Sequence, residues 1–210
     1  MRCVSGVNRC TLTAFKLANN VLGLGMAKKP TYKFIDLFAG IGGFHVAFNN
    51  TKRAQCVFAS EWDPAARKTY RHNFNHGADK ALFANDDKYF QGDITKVDPK
   101  TGIPAFDILC GGFPCQPFSN AGSRKGTSED KGRLYQTVIN TVRMLNPTFI
   151  LLENVRGITT SLHEGKRVVD VIMDELTQLG YFVTFKLIDA SDYGVPQRRL
   201  RLFIAASKDG

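Results

Sequence analysis

The sequence predicts an α/β domain built on short buried strands, and three observations carry that reading. Apolar runs of about five residues alternate along the 210-residue chain with segments whose apolar residues recur at helical spacing. One run, residues 34–38, passes straight into Ala39-Gly40-Ile41-Gly42-Gly43 and then a helix start at Phe44-His45-Val46. Strand, glycine turn and helix in that order open a nucleotide-binding α/β unit. The residues with chemistry, Cys115 and Glu153 among them, follow the ends of such runs, where open α/β sheets hold ligands.

The glycine turn does not complete the G-x-G-x-x-G spacing, because the position five after Gly40 is His45. A pyrophosphate cofactor is therefore disfavoured, whereas a nucleoside with a small carboxylate tail needs only close approach to the backbone. Residues 56–60 form a second strand that ends in Glu61-Trp62-Asp63-Pro64. An acid at this distance after the glycines accepts from ribose hydroxyls, and Glu61 is assigned that part. Asp63 with Pro64 reads as the cap and first residue of a helix over 65–75, in which Tyr70 and Phe74 face the sheet. Trp62, the only tryptophan, is either core or a platform for a purine. Residues 85–88 read as a solvated loop.

A third strand ends at Phe90-Gln91-Gly92-Asp93-Ile94, where Asp93 either accepts from an exocyclic amine or is an ordinary turn aspartate. Residues 106–110 form the fourth, and Gly111-Gly112-Phe113-Pro114-Cys115-Gln116-Pro117-Phe118-Ser119 follows it. Cys110, inside the strand pattern, reads as a small buried hydrophobe. Cys115 stands between two prolines on a loop at a strand end, which fixes its direction and makes it a candidate nucleophile. The polar, glycine-rich stretch 120–133 reads as a lid, and a helix over 134–145 stops at Asn146-Pro147.

Residues 148–152 are a buried strand delivering Glu153 to the same sheet edge as Cys115. Desolvation there favours a proton donor; a structural pair with Arg156 or Lys166 is the alternative. A helix over 168–179 closes at Gly180, and strands over 182–187 and 202–206 flank Gln197-Arg198-Arg199-Leu200-Arg201. If Arg199 and Arg201 enter a strand, both lie on one face, where they hold a phosphate or a developing anion and favour the Cys115 thiolate.

Composition bounds the rest. With 28 Lys and Arg against 19 Asp and Glu, the net charge is +9, a balance that suits an anionic partner such as nucleic acid. The five cysteines are odd in number and include no C-x-x-C pair, which argues against a zinc site or a disulfide framework and for a reducing, cytosolic compartment. No apolar run approaches a membrane span, and no signal-peptide core follows Met1. Residues 1–30, with Leu12, Phe15, Ala18 and Leu22 near helical spacing, read as an N-terminal arm ending in the linker Lys28-Lys29-Pro30.

Five of these motifs, in this order, resemble the DNA (cytosine-5)-methyltransferases that use S-adenosylmethionine: Asp36-Leu37-Phe38-Ala39-Gly40-Ile41-Gly42-Gly43, Gly92-Asp93-Ile94, Gly112 to Ser119, Glu153-Asn154-Val155, and Gln197 to Arg201. The resemblance spans about residues 33–206. It implies a mixed, mainly parallel seven-stranded sheet with helices on both faces, the Rossmann-like methyltransferase fold, and the runs above supply all seven strands. It also implies that a cytosine flipped from double-stranded DNA is attacked at C6 by Cys115, with Glu153 protonating N3 and Arg199 and Arg201 steadying base and cysteine. Gln116 and Ser119 would touch the substrate, and the loop 119–133 would close over the DNA. A base not named by the sequence would take the C5 proton. The cofactor would lie against Phe38, Ala39, Gly40, Gly42, Gly43, Glu61, Trp62, Asp93, Ile94, Pro114 and Leu134, leaving as S-adenosylhomocysteine, with no metal.

Family members continue past the point matching Gly210 into a target-recognition domain and a last motif that completes the cofactor pocket. The resemblance therefore divides the chain into an N-terminal extension, 1–30, and a catalytic domain, 31–210, with recognition supplied by a missing segment or a second subunit. The implied role is the modification part of a restriction system. The alternatives are a tRNA cytosine-5 methyltransferase, which Phe113 before Pro114-Cys115 disfavours, and a cofactor-binding subunit inactive without its partner.

Overall fold

A computed structural model describes residues 32–114, 128–163 and 165–209. Its strands are β1 (Tyr32–Leu37), β2 (Ala54–Ser60), β3 (Phe90–Gln91), β4 (Ile108–Gly111), β5 (Phe149–Val155), β6 (Phe182–Asp189) and β7 (Leu200–Ser207). They form one sheet in the order β3-β2-β1-β4-β5-β7-β6. The run β3-β2-β1-β4-β5 is parallel, and β7 is antiparallel to both neighbours, so the sheet is mixed and mainly parallel, as expected. A separate hairpin joins Leu162–His163 to Lys166–Arg167.

Helices α1 (Gly43–Thr51) and α2 (Pro64–Phe74) share one face of the sheet with a cluster of Phe34, Cys56, Phe90 and Cys110. Helices α3 (Ser128–Leu145) and α4 (Val168–Gln178) pack on the other, where Val138, Ile139, Ile172 and Leu176 meet Ile35, Leu109, Ile150 and Leu202. Because both faces of β1 are covered, Phe34, Ile35 and Leu37 are all fully buried, which is why the run reads as continuously apolar rather than alternating. Each fully buried side chain of this size contributes ~1.5–3 kcal/mol.

The punctuation follows the sequence closely. Asp63 caps α2, its carboxylate accepting from the Ala66 amide at 2.7 Å, with Pro64 at the first helical position. Gly180 adopts φ +86° directly after α4, and its amide donates to Thr177 O. β6 and β7 run longer than expected, and four further boundaries differ. β1 ends at Leu37, and Phe38 turns away at φ +57°. β5 runs on through Val155, so Glu153 lies inside a strand. β3 is only two residues long, and Asp93 belongs to the turn after it. Helix α3 starts at Ser128, six residues before the expected Leu134. Ser128-Glu129-Asp130 is itself a helix-start signature, which the glycines of the stretch obscured. The expected lid over 119–133 is thus helical from Ser128, and its remainder lies outside the described residues, as does the N-terminal extension 1–30. Nor is the loop 85–88 merely solvated: Asp87 pairs with Arg71 and, at 3.6 Å, with Arg67.

Asp36 is the anomaly of the core. It sits in β1 opposite Ala59 and Cys110, fully buried, with neither carboxylate oxygen hydrogen-bonded among the described residues. Burial, and then the nearby Glu61 carboxylate, push its carboxyl up to about 8. An unfolded aspartate titrates near 4, so between about pH 4 and 8 the folded state holds a proton that the unfolded state has lost. Stability attributable to this group is therefore present at low pH and declines as pH rises through that window, by up to roughly 5 kcal/mol in all. Asp36→Asn, neutral at every pH, is expected to flatten that decline in urea midpoints measured from pH 5 to 8.5. Parallel wild-type and variant curves would assign the titration elsewhere.

Candidate active site

The order β3-β2-β1-β4-β5 places a topological switch point between β1 and β4, where the crossovers leave in opposite directions and open a crevice at the strands' C-terminal ends. The two glycine-rich turns meet there. Gly112 donates its amide to Leu37 O at 3.3 Å, and a side chain on Gly111 would press on that same carbonyl. The close approach of β4 to β1 leaves little room for a side chain at Gly111.

The turn after β1 is held from several sides. The Ala39 amide donates to Ser60 O, and Gly42, at φ +97°, precedes α1 without a side-chain cap. Gly40 and Gly43 face open space, so their backbone is accessible to a ligand. Glu61 bridges the turns after β1 and β2: Oε2 accepts from the Gly40 amide at 2.7 Å and Oε1 from the Asp63 amide at 2.8 Å. Each carboxylate oxygen keeps a further lone pair, so these bonds orient Glu61 without exhausting it. Beside it Trp62 is 71% exposed, which removes the core reading of that ring. Arg67, which the sequence reading passed over, reaches from α2 to the carbonyls of Glu61 and Phe90 and lies over the Phe90 ring, fixing the ends of β2 and β3.

Asp93 caps the turn Ile94–Lys96, its Oδ1 accepting from the amide and hydroxyl of Thr95, while Oδ2 stands 3.7 Å from Lys96 Nζ. Ile94 is buried in the core, so it can meet a ligand only through its backbone. Pro114 is exposed and Leu134 half-buried.

On the β4–β5 side Glu153 pairs with Arg201, Nε to Oε1 at 2.8 Å, and not with Arg156 or Lys166. The register explains the pair. Glu153 lies opposite Phe203 and Val155 opposite Arg201, so the two charged residues are diagonal neighbours on one face of the sheet. Glu153 also faces Gly112, where a Cβ would lie 3.4 Å from Oε2. Arg201 is in β7, whereas Arg199 precedes the strand and is held by its backbone, its amide donating to Asp189 Oδ1. Only one of the two arginines therefore has its side-chain direction set by strand alternation.

Phe38, Ala39, Gly40, Gly43, Gly112, Glu153 and Arg199 line one open cleft of about 720 Å³. Its apolar continuation runs down the sheet face between α1 and β5–β7, over Phe44, Phe48, Phe149, Leu151 and Phe203. Glu61, Trp62, Asp93, Pro114 and Leu134 lie outside its lining. Cys115, Gln116 and Ser119 fall outside the described residues, but the backbone leading to the cysteine is fixed. Asn154, 3% exposed in β5, donates its amide to Phe113 O at 2.9 Å and accepts from the Val155 amide. The sequence reading gave Asn154 no role. The signal was there, since a polar side chain in the middle of a buried strand must find partners. Cys110 is fully buried and burial pushes its thiol far up, which leaves it inert, as its place in the strand pattern implied.

No group of His, Cys, Asp or Glu among the described residues is arranged to hold a metal, and no helix among them is long and apolar enough to cross a membrane.

The fold is shared with solved methyltransferases. The S. pombe Dnmt2 methyltransferase superposes with a TM-score of 0.65 at 23% identity, over 85% of this chain and 51% of that one. Entamoeba histolytica EhMeth gives 0.64 at 21%, over 87% and 54%. In sequence, the Type II methyltransferase M.HpaII of Haemophilus parainfluenzae is 44% identical over 179 residues, covering 84% of this chain and 46% of its own. M.NgoBI of Neisseria gonorrhoeae is 41% identical over 178, covering 85% and 51%. The chain thus spans about half the length of the curated relatives it matches. The family model for C-5 cytosine-specific DNA methylase matches residues 32–210, from the first residue of β1 through the glycine turn, the Glu153–Arg201 pair and β7. With its sheet order, its two facing glycine turns and this match, the chain belongs to the C-5 cytosine-specific DNA methylase family.

Proposed function

We propose that this chain is the catalytic part of an S-adenosylmethionine-dependent DNA cytosine-5 methyltransferase, the modification activity of a restriction system. The observation that carries the reading is the convergence at one sheet edge of an accessible glycine turn braced by Glu61 and an acid–arginine pair facing the loop that leads to Cys115.

The residues present fit the cofactor. Gly40 and Gly43 admit close backbone approach, Glu61 is oriented toward the turn, and Trp62 offers an exposed ring for a purine. S-adenosylmethionine, when bound, supplies an electrophilic methyl group. Phe38, Ala39 and the glycines would hold its methionine end, Glu61 its ribose, and Trp62, Asp93 and the Ile94 backbone its adenine, with Pro114 and Leu134 near the sulfonium. Glu61→Ala is expected to weaken S-adenosylhomocysteine binding by about tenfold, the scale of one charge-assisted hydrogen bond. Unchanged affinity by calorimetry would remove Glu61 from the site.

In the proposed reaction the Cys115 thiolate forms a bond to C6 of a flipped cytosine. Glu153 delivers a proton to N3, so that charge pushed into the ring is neutralised and C5 becomes nucleophilic. Arg201 keeps the Glu153 carboxyl aimed at the base, and Arg199 adds positive charge at the cleft. After C5 gains its methyl group, a base removes the C5 proton, the C6–sulfur bond breaks to return the thiolate, and the N3 proton passes back to Glu153. Gln116 and Ser119 contact the substrate strand. Double-stranded DNA, drawn by the +9 charge, is the partner, and sequence recognition comes from outside these residues, through further chain or a second subunit.

The test is transfer of tritiated methyl groups from S-adenosylmethionine to unmethylated duplex DNA and to tRNA, with and without a lysate of the source organism. Incorporation into DNA supports the proposal, and a requirement for lysate points to a recognition subunit. Incorporation into tRNA alone would contradict it, and cofactor binding without transfer in any condition would leave a binding subunit.

A further inference from the structure

Behind the glycine turn lies a buried polar cluster that neither the cofactor nor the cytosine chemistry uses. His45, in the first turn of α1, is fully buried. Its Nδ1 is 2.7 Å from the Tyr70 hydroxyl of α2, and its Nε2 is 3.2 Å from Asp79 Oδ2 in the segment Gly77–Phe83. Asp79 is gripped a second time by α1, accepting from Asn49 Nδ2 at 2.8 Å. Burial alone would raise the Asp79 carboxyl, but the hydrogen bonds from His45 and Asn49, with the His45 charge, hold it below the ordinary range. These contacts determine where the imidazole ring lies. It stacks on Phe74, centroids 3.8 Å apart and planes within 6°. Phe74 also packs on Tyr70, centroids 4.7 Å apart, and against the turn: a side chain on Gly42 would overlap the Phe74 ring and approach Tyr70 Cδ2 at 3.2 Å.

We propose that His45 is a positioning residue for the cofactor turn: anchored by Tyr70 and Asp79, its ring backs Phe74 against Gly42 and so sets the backbone of Gly40 to Gly43. The turn is then clamped at two points, by Glu61 at the Gly40 amide and by the His45–Phe74 stack at Gly42. The Tyr70 hydroxyl at Nδ1 and the Asp79 carboxylate beside Nε2 fix the plane of the imidazole, which a purely apolar residue at this position would not do. The assignment of the turn to S-adenosylmethionine rests on the function proposed above; the clamp itself does not.

The test compares the full chain with His45→Gln, which keeps polarity but loses the stack, and with Ile172→Ala, a cavity on the opposite face of the sheet. The expected result for His45→Gln is S-adenosylhomocysteine affinity lower by about tenfold. KM for the cofactor rises to match while kcat is retained, and the Gly40, Gly42 and Gly43 amides exchange faster with solvent. Ile172→Ala should lower thermal stability but leave affinity within about twofold of wild type. Wild-type affinity in His45→Gln, or equal weakening in the control, would overturn the proposal. If the wild-type chain binds no S-adenosylhomocysteine, the cofactor assignment fails and amide exchange decides the clamp: unchanged exchange in His45→Gln refutes it. Should His45→Gln not fold, Tyr70→Phe, which removes only the hydroxyl partner, is expected to show the same pattern at about threefold, and no change there refutes the clamp.

Discussion

Cys115→Ser is expected to abolish methyl transfer, lowering the rate by more than about 10³-fold, the order of loss that follows removal of a covalent nucleophile. A serine hydroxyl has almost the same volume but a far higher pKa, so little of it is ionised near neutral pH. The backbone that leads to the residue is held at Phe113, whose carbonyl accepts from Asn154, a contact that the substitution leaves alone. Circular dichroism and the thermal midpoint should therefore match wild type, as should cofactor affinity. Substantial residual transfer would refute covalent attack by this residue.

Glu153→Gln is expected to lower kcat by about 10²- to 10³-fold, the range of one positioned general acid. Glutamine keeps the shape and can still accept from Arg201, but it cannot deliver a proton to the base. Because Glu153 faces Gly112 and Arg201 rather than the turn after β1, affinity for S-adenosylhomocysteine should stay within about twofold. Kinetics with saturating cofactor separate these effects. A variant with weak cofactor binding and a normal kcat would move Glu153 out of the proton-transfer role.

The fold was legible because its signals are local. The buried runs of a parallel sheet, Asp63-Pro64 at the head of α2 and Gly180 after α4 each state their element within a few residues. Boundaries drifted where two signals overlapped, as at Ser128, where glycine-rich polarity masked a helix start. The site was legible only in part, for a similar reason. Gly40, Glu61 and Glu153 follow strand ends, and strand ends of a parallel sheet converge. Partnerships that depend on register were not readable: Arg201 rather than Arg156 beside Glu153 follows from β7 running antiparallel to β5. Arg67 beneath β2 and β3, Asn154 behind the cysteine loop and His45 behind Gly42 are likewise contacts between elements distant in sequence. Each shows in the sequence only as a polar residue inside an apolar pattern, which says that a partner exists without saying which one. Asp36 carries the same mark, within the most recognisable motif of the chain.

The central claim is that Cys115 forms a covalent bond to a cytosine. It is tested most directly by incubating the chain with S-adenosylmethionine and duplex DNA containing 5-fluorocytosine, with and without a lysate of the source organism, and mapping any adduct by mass spectrometry. Fluorine at C5 cannot leave as a proton does, so a productive attack stops at the bonded stage. The account predicts a methylated DNA adduct on the peptide containing Cys115, absent in Cys115→Ser. An adduct at another residue, or methyl transfer to ordinary DNA with no trapped adduct, would contradict it.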